Sequence, residues 1–176
     1  EARTDQVPRA FYQLAQLEIL ASLFYWHAEQ HSGFTKPPAV DYGFKAFEFA
    51  ALGLEYAVEA LSIPNLEDLT EQHARNIYEQ AIKQLHPVLK GVAERSLSAS
   101  SIRPLSTDLD RLQRILNRNQ PAISNTEGSL LSGIKTMMRD LRQRLSQQMV
   151  PVVQETAKPV SVKVTEAPAV RPKTVK

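Results

Sequence analysis

Cysteine is absent from this 176-residue chain. That excludes disulfides, thiolate catalysis and cysteine-ligated metal, and it fits a reducing compartment. Glycine is sparse, with six scattered residues. They form no Gly-x-Gly-x-x-Gly, no Gly-x-x-x-x-Gly-Lys-Ser/Thr and no Gly-x-Ser-x-Gly, so no phosphate cradle or nucleophile elbow can be placed. Long hydrophobic runs are also missing. The greasiest stretch, Ile19 to Trp26, has eight residues and is interrupted by Ser22, whereas a membrane span needs about 20. No cationic leader precedes an apolar run with a small-residue cleavage site. The chain begins with Glu1, and a trimmed or processed chain is the expectation.

What is present is an uneven distribution of charge. Residues 1–102 carry 8 Lys+Arg and 13 Asp+Glu, residues 103–150 carry 8 and 4, and residues 151–176 carry 5 and 2. An overall charge of +2 therefore joins an acidic front to a basic back and a basic tail. Such asymmetry bears on partners rather than on fold.

Prolines divide the chain into segments with helical period. The first predicted helix runs from Arg9 to His31, with Pro8 suited to its first turn. The second runs from Tyr42 to Leu61 behind an Asp41 cap, and its Phe44, Phe47, Ala51, Leu54, Val58 and Leu61 follow 3,4 spacing. The third starts at an Asn65 cap and aligns Leu69, His73, Ile77, Ala81, Leu85, Leu89 and Val92, with Pro87 expected to kink or split it near His86. Residues 96–104 read as a loop. The fourth helix, Thr107 to Asn117, follows a line of Leu105, Leu109, Leu112 and Leu116. The fifth, Glu127 to Met149, aligns Leu131, Ile134, Met138, Leu141 and Leu145. The fold class expected is all-α: a bundle of about five helices over 1–150, then an extended Pro/Val/Lys-rich arm over 151–176. In the arm, Val160, Val162 and Val164 alternate with Ser161, Lys163 and Thr165, a strand-like segment suited to a sheet edge.

The chemistry-bearing residues are few. His27 and His31 share a helix face at i, i+4, but HAEQH lacks the glutamate immediately after the first histidine and no spacing nominates a third ligand. Glu29-Gln30-His31 and Glu71-Gln72-His73 each fall one residue short of the Glu-x-x-His of bundle di-metal sites. No metal and no cofactor is expected, and no enzyme. A metal- or cofactor-binding bundle is the third-ranked alternative.

The first helix is apolar nearly all round between Ile19 and Trp26, which predicts either a central position or cover by another chain. Phe24, Tyr25 and Trp26 are the candidate contact residues there. Arg111, Arg114 and Arg118 form a basic stripe, and Lys135, Arg139 and Arg142 a second. Phosphate binding is one reading of these stripes. The favoured reading is solvated faces, or charge pairing with the acidic stripe Glu48, Glu55 and Glu59. Together with Val160, Val162, Lys163 and Val164 in the arm, the three aromatics and the three arginines of the first stripe are the expected partner-binding set. The function expected is a structural or adaptor subunit of a larger assembly, with other protein chains as partners, copies of itself included. A processed virion component or a secretion-machine subunit is the imagined setting, in the cytoplasm or inside a particle. A nucleic-acid-associated protein is the alternative.

Overall fold

The computed structural model describes residues 6–31, 41–97, 99–118 and 125–149. The arm expected over 151–176, with Val160, Val162, Lys163 and Val164, lies outside the described residues. The described residues form five helices and no strand: α1 (Gln6–His31), α2 (Tyr42–Leu61), α3 (Asp68–Ala93), α4 (Ala99–Leu116) and α5 (Asn125–Met149). The fold class is all-α, as the sequence predicts.

Helices α2, α3, α5 and α4 pack in that cyclic order, and α1 lies outside the ring across α2 and α3. The predicted seams supply the core. Leu105, Leu109, Leu112 and Leu116 of α4 are buried, as are Leu131, Ile134, Met138, Leu141 and Leu145 of α5. Phe47, Ala51, Leu54 and Val58 of α2 are likewise buried. A second row on α2 consists of small residues at the same 3,4 spacing: Ala46, Ala50, Gly53, Ala57 and Ala60, all buried. This row brings α1 close. A Cβ at Gly53 would lie 3.0 Å from Ile19 Cγ1 and 3.3 Å from the Ala15 carbonyl oxygen. Ser22 Oγ on α1 donates to the Ala46 carbonyl at 2.8 Å and accepts from Gln84 Nε2 of α3 at 3.2 Å. Helix α2 is thus central, and α1 is peripheral.

The helix ends follow local chemistry. Asp41 caps α2 by accepting from the Phe44 amide at 3.1 Å. Arg95, just beyond α3, donates to Asp41 at 3.0 Å and to Glu29 of α1. Its guanidinium covers Gly43, where a Cβ would be 2.6 Å from Cζ. Arg144 of α5 donates to the Ala93 and Arg95 carbonyls, satisfying acceptors at the end of α3 where the helix dipole also favours a cation.

Four expectations require correction. Asn65 is not a cap: it takes a left-handed conformation (φ 59°), which asparagine tolerates, and α3 begins three residues later after Glu67. Of the kink or split expected at Pro87, the split is absent: α3 stays helical from Asp68 to Ala93. Pro87 and Lys83, whose carbonyl loses a donor, both lie on the exposed side, while Leu85, Val88, Leu89 and Val92 are buried around them. Their packing outweighs one absent hydrogen bond that water can replace. The loop expected at 96–104 is mostly helix, because α4 already starts at Ala99 and contains Pro104. Ile102 and Leu105 pack into the core and hold those turns in place. Finally, Leu69 is 63% exposed and His73 is exposed. Each four-residue step on a 3.6-residue helix advances the face by about 40°. A line drawn through 69, 73, 77 and 81 therefore leaves the core at its N-terminal end, where Thr70 and Ala74 are buried instead.

Candidate interaction surface

Helix α1 has two lines of apolar residues. One faces inward: Pro8, Ala15, Ile19 and Ser22 are buried, and Trp26 packs over α3 at Gly91. The other faces outward. Val7, Ala10, Leu14, Leu17, Ala21, Phe24, Ala28 and His31 follow 3,4 spacing through seven intervals, the seam of a helix that packs along another helix. Among the described residues its large side chains are left uncovered, and only Ala21 and Ala28 are partly buried. Leu14 is 40% exposed, Leu17 62% and Phe24 69%. Leu20 and Leu23 flank it at 59% and 45%. No charged residue interrupts the row, since Arg9, Glu18 and Glu29 stand off it. Scattered exposed apolar residues are ordinary in proteins, but a contiguous uncharged row of this length is not.

The aromatic residues divide between this surface and the core. Phe24 stands outward, its ring nearly perpendicular to that of Tyr25 with centroids 5.6 Å apart. Tyr25 is half-buried, stacked on Phe49 of α2 at 5.4 Å and 7°, and near Tyr42 at 6.0 Å. Trp26 is half-buried against α3.

The expected basic stripe on α4 meets the acidic stripe on α2. Arg111 lies 3.6 Å from Glu55 and 3.5 Å from Asp108, and Arg118 pairs with Glu59. Arg114 is exposed. Glu48 is paired with Lys45 at 2.6 Å. Burial, and then the charge of Glu48, push the Asp108 carboxyl up to about 6, against the opposing pull of Arg111 and Lys45. Burial and Glu48 also raise Glu18 of α1. On α5, Arg142 donates to Asp110 at 2.7 Å and to the Leu109 carbonyl at 3.1 Å, while Lys135 and Arg139 are exposed. Lys83 of α3 reaches the buried Glu127 at 3.0 Å, and this hydrogen bond lowers the glutamate's pKa.

His27 and His31 sit side by side with centroids 4.2 Å apart. Among the described residues no group of three His, Cys, Asp or Glu converges as a metal site. His73 lies against Tyr12, 6.2 Å between centroids, at a hollow of about 220 Å³ bounded by Gln16 and Ile77. A larger groove of about 620 Å³ runs between α3 and α5, lined by His86, Lys90, Met137, Asp140 and Arg144 among others. Its lining also includes Glu94 and the hydroxyl-bearing Ser132 and Thr136.

The uncovered surface is therefore the outward row of α1, of which the sequence reading isolated only Phe24. The rest of the row was legible from spacing, but the uninterrupted greasiness of Ile19–Trp26 masks it, because two apolar faces on one helix read as none. No helix among the described residues is long and apolar enough to cross a membrane. No known protein family, curated protein or solved structure matches the chain.

Proposed function

We propose that this chain is a non-enzymatic structural or adaptor subunit of a larger protein assembly, and that it engages its partner through the outward row of α1. The carrying observation is that row: Leu14, Leu17, Leu20, Leu23 and Phe24 are all 40% exposed or more on a helix already anchored by its opposite face. Leaving them in water forgoes about 25 cal/mol for each Å² of apolar surface that a partner would cover. The absence of charge in the row suits a permanent contact rather than a transient polar one. The nucleic-acid reading has less support, because Arg111, Arg118 and Arg142 are engaged by Glu55, Glu59 and Asp110. The test is purification from the native source of wild-type chain and of Leu17→Glu/Phe24→Glu. Defined chains held at stoichiometric level by wild type and lost by the variant support the reading. Identical co-purifying chains with both proteins, or a wild-type chain that neither holds another chain nor self-associates, refute it.

A further inference from the structure

We propose that two copies of this chain pair through α1, antiparallel, with the two-fold axis level with the midpoint between Leu17 and Ala21. This rests on the assembly reading above and names the partner.

The row determines the register. In an antiparallel pair of heptad helices, each position of one kind meets a position of the other kind. Counting inward from the ends of the row, Val7 then meets His31 of the second copy, Ala10 meets Ala28, Leu14 meets Phe24 and Leu17 meets Ala21. All eight positions find a partner, so no layer is left over. The two central layers set Leu17 against Ala21, the layers beside them set Leu14 against Phe24, and the Ala10–Ala28 layers beyond hold only small side chains. A parallel pair would instead stack Phe24 on Phe24 beside an Ala21–Ala21 void, which packs poorly.

Area and charge agree with self-pairing. Val7, Leu14, Leu17, Leu20, Leu23 and Phe24 are 40–69% exposed. They present on the order of 600 Å² of apolar surface, near the ~800 Å² per partner of a standard interface once the alanines and Gln13 join it. A two-fold contact sets each position of the row against another position of the same row, so a charge anywhere in it would be buried against an uncharged side chain. The row has none. Arg9, at its edge, comes level with residue 29 of the second copy, in the last turn of that helix, where the dipole is negative. Antiparallel packing also places the two α1 dipoles head to tail.

The experiment takes the full chain through light scattering after size exclusion at tens of micromolar, with Leu17→Glu alongside. The expected result is a wild-type dimer and a Leu17→Glu monomer of unchanged helicity, the dimer weakened about 100-fold or more by a carboxylate in the apolar seam. Because cysteine is absent, orientation is read from new cysteines. Ala10→Cys and Ala28→Cys chains should form a mixed disulfide dimer when oxidised together, and neither should link to itself. Self-linking of Ala10→Cys, or a dimer unaffected by Leu17→Glu, overturns the proposal. A wild-type monomer overturns it too. If that monomer loses its co-purifying chains on Leu17→Glu, the assembly reading survives with a different partner. If the monomer floats with phosphatidylcholine vesicles, the row is a lipid-facing surface and both readings fail.

Discussion

Trp26 of α1 lies directly over Gly91 of α3, so close that a Cβ at Gly91 would stand 2.8 Å from Cζ3 of the indole. The glycine is needed for contact rather than for backbone freedom, since its φ is not positive. An indole cannot fold away as a lysine stem can. The contact sits on the far side of α1 from the outward row and is one of the places where the helix is pinned to the bundle.

Gly91→Ala should therefore destabilise the protein even though alanine is the better helix former. The expected loss is about 1–3 kcal/mol from overpacking, reduced by up to ~1 kcal/mol of helix propensity. Gly128 of α5 is the internal control, because nothing among the described residues lies within 4 Å of a Cβ there. Gly128→Ala should stabilise by a few tenths to ~1 kcal/mol. Urea melts of the two variants, with Trp26 fluorescence as a local probe, check the opposite signs.

Ser22, wholly buried, ties α1 to α2 and α3 through the Ala46 carbonyl and Gln84. Ser22→Ala should cost about 1–3 kcal/mol, because it leaves the largely buried Gln84 amide without the oxygen it donates to. Adding Gln84→Met should recover part of that loss, since removing both polar partners from a buried site is cheaper than removing one. Equal losses for the single and double variants in urea melts would show that the pair is not coupled.

Asp108 gives a pH dependence with a defined sign. Its carboxyl is pushed up to about 6 by burial and by Glu48, against ~3.9 in an unfolded chain. The unfolded state therefore releases this proton first. The stabilising contribution of the protonated group is complete below pH ~4 and is lost as pH rises through about 6. Asp108→Asn removes the ionisation penalty and should raise stability by roughly 1–2 kcal/mol at pH 7–8, with the gain fading toward pH 4. Thermal melts of both proteins from pH 4 to 8 read this directly. A constant difference across that range would assign the effect to packing instead of ionisation.

The sequence by itself determined that the chain forms five helices and which faces of α4 and α5 turn inward. Their leucine lines follow a strict 3,4 rhythm, and rhythm is a local property that burial simply ratifies, as at Leu109, Ile134 and Met138. The Asp41 cap was legible for the same reason, since a carboxylate reaching the third amide onward needs no neighbour. Only tertiary structure decided the rest. The centrality of α2 depends on Ala46, Ala50, Gly53 and Ala57, residues whose small size carries little hydrophobic signal but lets another helix approach. Pro87 and Pro104 stay inside helices because the buried side chains around them outweigh one lost hydrogen bond each, a balance that local propensity cannot express. The acidic and basic stripes were visible along the chain, but their meeting as Glu55–Arg111 and Glu59–Arg118 required α2 and α4 to pack side by side. On α1, periodicity could say that both faces are apolar. Which face the bundle covers, and which it leaves in water, was settled by the small-residue row on α2, because close packing selects the surface that fits.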